Sequence, residues 1–292
     1  METRFLETFL VVAEFGSLAE ASRRLGITPA AVAQRMQALE DEIGIPLLVR
    51  SGRRVKPTEA GHAILEKSRR ILSDVHHLRS LACNDMSGEL RLGAISTALT
   101  GLLPSALRHV RSTMPDVEVF LLPGTSADLY QTLLNEKIDA TIVVKPPFAL
   151  PKTLEWRLLR SEPLVLMAPA SADDATPHEL LRSKPFIRYD RNNWGGRLAD
   201  HYLQENEIRP KEWLELDSLE AIGVMVENEL GVSLVPDWSA PWHQSLNVLR
   251  LPLPRRAMPR EIGMVWPRHS PCGKLVAALL AALERGPSSN GT

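Results

Sequence analysis

Ser17-Leu-Ala-Glu20-Ala-Ser-Arg-Arg-Leu-Gly26-Ile-Thr28-Pro29-Ala-Ala-Val-Ala-Gln-Arg-Met-Gln-Ala-Leu-Glu40-Asp-Glu42 spells two short helices joined by a glycine-containing turn. Ser17 is placed to cap the first helix by accepting from the amide of Glu20, and the Glu20 carboxylate to reach back to the Ser17 amide, a reciprocal capping box. Leu18, Ala21 and Leu25 fall on one face, and Gly26 follows where a left-handed C-cap is easiest. Thr28 caps the second helix, with Pro29 at its first position, where a fixed φ and a missing N–H do no harm. That helix is expected to run to about Glu42 with Val32, Met36, Leu39 and Ile43 facing inward. Thr28, Ala30, Ala31, Gln34, Arg35 and Gln37 then point elsewhere, and such small and amide side chains suit a DNA major groove. The plain alternative is an amphipathic helical hairpin with a solvated face.

The next residues favour the DNA reading. Leu47-Leu-Val-Arg50-Ser-Gly52-Arg-Arg54-Val-Lys56 reads as a strand, a tight turn at Ser51-Gly52 and a returning strand that ends at Pro57. It carries Arg50, Arg53, Arg54 and Lys56 and no acid. A basic hairpin directly after a helix-turn-helix is a wing, whose cations can pair with phosphates flanking the groove. With the wing, the candidate DNA-contacting set is Ser17, Arg23, Thr28, Pro29, Ala30, Ala31, Gln34, Arg35, Gln37, Arg50, Arg53, Arg54 and Lys56.

On these residues the segment 4–65 resembles the DNA-binding part of LysR-type transcriptional regulators. The matches are Phe9, Gly16-Ser17 with Ala21 and Leu25, Ala31-Val32, Leu39-Glu40, Gly44 with Leu47 and Arg50, and Thr58-Glu-Ala-Gly61. Four positions depart from the family pattern at three places: Thr28-Pro29 replaces the usual Ser-Gln, Ala33 the usual Ser of the helix, and Leu48 the usual Phe of the wing. The first two departures face the groove, so the resemblance implies DNA binding and not a particular operator sequence.

Composition fits an ordinary globular protein. The 292 residues suit two or three domains, and 44% hydrophobic content is enough for sizeable cores. The formal net charge of −1 does not advertise nucleic acid, and residues 1–60 hold eight Lys or Arg against eight Asp or Glu. Charge is informative only where the wing and Arg23, Arg24 and Arg35 concentrate it. No apolar run reaches the roughly 20 residues of a membrane helix, and the N-terminus carries acids where a secretory signal has an apolar core. A cytoplasmic protein with no membrane partner is expected. Cys83 and Cys272 are too few for a disulfide framework and lack metal-site spacing, so neither metal nor cofactor is expected.

Thr58 can cap a long third helix from Glu59 to about Cys83, with apolar residues at Ala60, Ile64, Ile71, Val75, Leu78 and Leu81. At 1.5 Å per residue it spans roughly 35–40 Å, longer than a small winged domain needs. Packing within the chain is one use for the stripe. The family resemblance implies another, a linker helix pairing with its twin in a dimer and setting two winged domains on a palindromic site; a tetramer is equally open. Asn84-Asp-Met-Ser-Gly88 breaks the pattern as a hinge.

From Glu89 short apolar runs alternate with helices. Leu90–Ile95, Val117–Leu122 and Ala140–Val144 read as strands, with helices at 101–112 and 126–135, a βαβαβ series that implies a parallel, doubly wound sheet. A second set follows, with strands at 164–168, 186–189, 213–216 and 232–235 and helices at 177–181, 197–205 and 219–229; a strand at 261–266 and a helix at 272–284 close the chain. The expected fold is therefore an N-terminal winged helix-turn-helix, residues 1–58, a linker helix and hinge, 59–86, and a C-terminal α/β effector-binding domain, 87–292. The resemblance implies two Rossmann-like lobes of the periplasmic-binding-protein type. Lobe I would hold 87–160 and 265–292, lobe II 161–264, with the chain crossing near Arg160 and returning near Ile262. Two crossings make a hinge able to close on a ligand.

Ligands bind in such sheets where strand C-termini meet helix N-termini. Those ends carry Ser96, Thr97, Thr125, Ser126 and Ser218, hydroxyls that with helix-end amides suit an anion. Lys145 and Arg188 are expected to add charge at the rim, and Tyr189 or Trp194 to stack on a ring. The implied effector is small and carboxylate-bearing, although each hydroxyl alone reads equally well as a helix cap. An enzyme is disfavoured: there is no Gly-x-Ser-x-Gly elbow, no Gly-x-x-x-x-Gly-Lys loop and no paired His at metal spacing. The function expected is a DNA-binding transcriptional regulator modulated by a small anionic effector, with operator DNA, a second copy of itself and RNA polymerase as candidate partners. The alternative is a ligand-independent repressor or architectural protein whose cleft its own side chains fill.

Overall fold

The computed structural model describes residues 1–52, 54–83, 87–172, 175–238 and 246–285, and in the helix that ends at Cys83 it leaves out the side chains at 73, 76, 77 and 79–83. The chain divides into two compact units, Met1–Gly88 and Glu89–Thr292.

The first unit runs α1 (Thr3–Phe15), α2 (Leu18–Leu25), α3 (Pro29–Ile43), β1 (Leu48–Ser51), β2 (Arg54–Pro57) and α4 (Glu59–Cys83). Its core is Leu6, Phe9, Val12, Ala21, Val32, Met36, Leu39 and Leu47. Ser17 accepts from the Glu20 amide at 3.3 Å, as the sequence predicts. The reciprocal half of the box is absent: the Glu20 carboxylate instead holds the guanidinium groups of Arg23 and Arg24, the latter at 3.3 Å. Gly26 and Gly44 close α2 and α3 in the left-handed conformation, with φ of 64° and 85°. Thr28 caps α3, accepting from the Ala31 amide at 3.2 Å.

The wing is fixed to this core by three devices. The Glu40 carboxylate accepts from the amides of Leu47 and Leu48 at 2.6 and 3.0 Å. The Val55 amide donates to the Gly16 carbonyl at 2.9 Å. The Thr58 hydroxyl donates to the Pro46 carbonyl at 2.8 Å and accepts from the Gly61 amide at 3.0 Å, so one side chain both caps α4 and holds the loop before β1. On α4 the apolar stripe is divided. Ala60, Ile64, Leu65, Ile71 and Leu72 pack on the unit's own core, whereas Leu78, further along, is 66% exposed.

The second unit begins β3 (Gly88–Ala94), α5 (Ser96–Gly101), α6 (Leu103–Thr113), β4 (Val117–Pro123), α7 (Ser126–Leu134), β5 (Ala140–Val144) and β6 (Leu154–Glu162). It continues β7 (Leu164–Pro169), α8 (Pro177–Ser183), β8 (Pro185–Tyr189), α9 (Trp194–Glu205), β9 (Lys211–Leu216) and α10 (Leu219–Glu227). β10 (Ser233–Pro236), β11 (Val248–Pro252), β12 (Arg260–Pro267) and α11 (Gly273–Glu284) complete it. One lobe is a five-stranded sheet of order β4-β3-β5-β12-β6; the other holds the three-stranded β10-β7-β11 and the pair β8-β9.

The expectation of purely parallel sheets needs correction. β3 and β5 are parallel, as are β8 and β9. The returning strand β12 runs antiparallel to both β5 and β6, and β7 antiparallel to both its neighbours. The reason is the hinge: a chain that leaves one lobe on β6 and comes back on β12 traverses it in opposite directions. Both strands belong to the five-stranded sheet up to Glu162 and from Arg260, which puts the crossings at Pro163 and in 253–259.

Gly61 shows how tightly α4 seats on the wing, since a Cβ there would stand 2.2 Å from the Leu47 carbonyl oxygen. Gly61→Ala is expected to destabilise the first unit by about 1–3 kcal/mol, the usual cost of overpacking. All six tryptophans lie beyond residue 150. The loss should therefore appear as an earlier transition in far-ultraviolet circular dichroism, with the tryptophan-fluorescence transition unmoved.

Candidate functional site

On α3 successive residues are about 100° apart, so buried Val32, Met36 and Leu39 with half-buried Ile43 take one side and Ala30, Gln34 and Gln37 the opposite, exposed one, with Ala33 exposed at its edge. Thr28 and Pro29 are exposed at the start of that face. Gln37 donates to Asp41 at 2.8 Å. Ala31 and Arg35 fall on the flank instead, half-buried, and the Arg35 guanidinium donates to the buried Thr8 hydroxyl at 3.4 Å. Ser17 is occupied in capping α2 and Arg23 in its pair with Glu20.

In the wing, β1 and β2 pair with Ser51 opposite Arg54 and Val49 opposite Lys56. Side chains alternate along a strand, so Leu48 and Val55 turn to the core while Arg54 and Lys56 share the outer face with Val49. Arg50 is exposed at the outer end of the inner face. Gly52 makes the turn with φ of 63°; Arg53 lies outside the described residues. Arg4, Arg23, Arg24 and Arg69 are each bound to an acid of the same unit. Arg50, Arg54 and Lys56 have no acid partner among the described residues.

Between the lobes of the second unit lies a cavity of about 300 Å³. Ser96, Thr97, Thr125 and Ser126 line it from one lobe, and Tyr189, Trp194 and Ser218 from the other, with Asn193, Asp217 and Arg260. Seven of the nine residues expected from the sequence therefore meet there. The hydroxyls are engaged: Thr125 and Ser218 cap α7 and α10, Ser126 accepts from the Val144 amide at 3.1 Å, and Ser96 reaches across to Glu220 at 3.5 Å.

Arg188 and Lys145 are the exceptions. Arg188 precedes Tyr189 on β8, so it projects from the opposite face; it is buried between Asp200, at 2.6 Å, and Glu212. Its hydrogen bond and charge, with those of Arg191, hold the Glu212 carboxyl below the ordinary range. Lys145 pairs with Glu261 at 2.5 Å and lines a neighbouring cavity.

The cation at the cleft is Arg260, which sequence reasoning missed. It is 1% exposed, bonds the equally buried Glu162 at 2.6 and 2.8 Å, and donates to Thr97 at 3.3 Å. It also bonds Tyr189, whose phenol burial pushes up. Burial raises the Glu162 carboxyl above the ordinary glutamate range, and the Arg260 charge offsets this in part. The available signal was a charge at the inner end of each crossing strand, beside Pro163 and Pro259. α9 begins at Trp194, three residues before the helix expected from 197; its first turn holds Gly195 and Gly196, and a Cβ at Gly196 would stand 1.9 Å from the Asp190 carbonyl oxygen. Among the described residues no cluster of His, Cys, Asp and Glu could hold a metal ion, and no helix is long and apolar enough to cross a membrane.

A winged helix-turn-helix followed by a two-lobed α/β domain with a ligand-sized cleft defines a transcriptional regulator of the effector-binding class. Residues 3–62 match the family model for bacterial regulatory helix-turn-helix proteins of the lysR family, and residues 84–287 match the LysR substrate binding domain. The chain belongs to the LysR family of DNA-binding transcriptional regulators. It is 30% identical to YnfL of Escherichia coli, an HTH-type transcriptional regulator, over 92% of this chain and 93% of that one. OxyR of Corynebacterium glutamicum shares the fold with a TM-score of 0.69 at 23% identity, covering 97% of this chain and 91% of that one. Full-length CbnR, solved with its target DNA, does so with a TM-score of 0.62 at 24% identity, covering 98% and 99%.

Replacing Arg54 and Lys56 together by Ala should weaken binding to operator and unrelated DNA alike. Each lost phosphate contact lowers the slope of log K against log salt by about 0.9. A titration across salt concentrations that gives the wild-type slope would remove these side chains from the DNA.

Proposed function

We propose that this regulator reads its operator with the exposed face of α3, Thr28, Pro29, Ala30, Ala33, Gln34 and Gln37, while Arg50, Arg53, Arg54 and Lys56 hold the flanking phosphates. The support is that Arg50, Arg54 and Lys56 have no acid partner among the described residues, whereas Arg4, Arg23, Arg24 and Arg69 each pair with an acid of the unit. Ser17 and Arg23 act one step back, by fixing the start of α2, and Arg35 by fixing α3 against α1.

The operator-bound form is a dimer joined through α4. Its first half packs on the unit's own core and leaves Leu78 exposed further along; a second α4 is the natural cover for that part. Leu78→Glu should shift the full chain from dimer to monomer in sedimentation velocity, with the circular dichroism spectrum retained.

The effector is a small anion, carboxylate-bearing, bound between the lobes. The observation that carries this reading is a cleft lined from both sides of a hinge, at which α7, α9 and α10 all begin. Helix N-termini favour negative charge, and here they take over the role that Lys145 and Arg188 do not fill. Closure around the effector changes the angle between lobes and thereby the spacing of winged domains in the assembly. RNA polymerase is the further partner through which the bound form acts, and the cytoplasm is its place of action.

Thermal unfolding of the full chain against small aromatic and aliphatic carboxylates tests this, because a ligand of the native state raises the midpoint. A carboxylate that raises it in the wild type should lose its effect in the Ser96→Ala, Thr125→Ala double variant, which should still bind operator DNA. No response across the panel would favour a ligand-independent regulator.

A further inference from the structure

Behind Trp194 lies a second, larger cavity of about 630 Å³. Trp194 and Val144 wall both cavities, and the Trp194 ring is braced by Phe148 edge-on at 5.6 Å and by a tilted Tyr130 at 6.0 Å. The floor on the far side is apolar, made by Trp194, Leu198, Met258 and the prolines 146, 147 and 259. Its charges are nearly all spoken for. Lys145 holds Glu261 at 2.5 Å. Asp200 is taken by Arg188 and by Gln204, the latter at 2.7 Å, and His201 faces Glu205 at 3.1 Å. Arg197 remains, exposed in the first turn of α9, without an acid partner among the described residues.

From an apolar floor of ligand size with a single uncompensated guanidinium at its edge, we infer that this cavity is a second small-molecule site, separate from the cleft, for an aromatic or aliphatic monoanion. The apolar body covers Trp194 and Leu198, and Met258, an unbranched and adaptable side chain, closes over it. The Arg197 fork receives the carboxylate, a geometry that a guanidinium matches bidentately, and the start of α9 adds its dipole. The volume is within the range of about 300–1,000 Å³ typical of such sites. Since Trp194 separates the two cavities, an occupant of one changes the wall of the other, and any coupling in affinity is reciprocal.

Calorimetric titration of the full chain with naphthalene-2-carboxylate tests the site, with the neutral 2-naphthylmethanol as comparator. The expected result is binding of the carboxylate by the wild type, weakened about tenfold or more in Arg197→Met and for the alcohol. The Ser96→Ala, Thr125→Ala variant should bind it as the wild type does. Arg197 is exposed, so an unchanged unfolding midpoint is expected; Met258→Asp, which sets a like charge against the ligand, should reproduce the loss independently. No binding by the wild type up to about 10 mM, undiminished binding in both Arg197→Met and Met258→Asp, or a loss confined to the Ser96, Thr125 variant would each overturn the assignment. The last of these would place the probe in the cleft.

Discussion

The buried pair between Arg260 and Glu162 is the constraint on which the geometry of the effector cleft depends. The two residues are cross-strand partners at the inner ends of the crossing strands, so they stand at the hinge itself. The same guanidinium reaches Thr97 of one lobe and Tyr189 of the other. A buried ion pair adds little net stability against an apolar replacement, yet removing one partner costs about 3–5 kcal/mol because a charge is left uncompensated. The pair is thus better understood as fixing where strands and lobes meet than as holding them folded. It also neutralises the cleft floor, which leaves the helix N-termini as its positive features.

The first unit solves a parallel problem with hydrogen bonds. A wing of two four-residue strands cannot hold its own position. Here the Glu40 carboxylate takes both amides at the start of β1, Thr58 ties the preceding loop to α4, and Gly61 lets α4 approach the Leu47 carbonyl. These are among the residues that make the family pattern legible in the sequence, and each is committed to the unit's own backbone. The recognisable motif is the scaffold that aims α3 and the wing, whereas Thr28, Pro29 and Ala33, where the chain departs from the pattern, lie on the exposed face. Leu48, the remaining departure, packs on the core, so the departures proposed to bear on operator preference are those of α3 and its cap.

What was legible in the sequence follows the same division. Caps, left-handed glycines and 3.6-residue periodicity are local, and α2, α3 and α10 start where these signals place them, as β5 does where its short apolar run begins. β6 and β11 gave no clear signal, because they are sheet-edge strands with arginines among their apolar residues, Arg157 and Arg160 in one and Arg250 in the other. For the cleft, strand-end hydroxyls were legible because topology dictates that strand and helix ends gather there. Arg188 was misplaced by one step of strand alternation, and Arg260 was missed because its partner lies 98 residues away.

The energetics favour a small effector acting through this hinge. Bending a 20–30 base-pair site costs on the order of 1–6 kcal/mol, and only the difference in effector affinity between two lobe arrangements can act on that equilibrium. A ligand of about ten non-hydrogen atoms, at roughly 0.3–1 kcal/mol per atom, binds with about 3–10 kcal/mol in total. If its contacts come from one lobe, nearly all of that is shared by both arrangements and nothing shifts. At the proposed site, contacts split between Ser96, Thr97 and Thr125 on one side and Tyr189, Trp194 and Ser218 on the other would be made together only when the lobes close. Placing the site across the hinge converts a modest binding energy into a differential one.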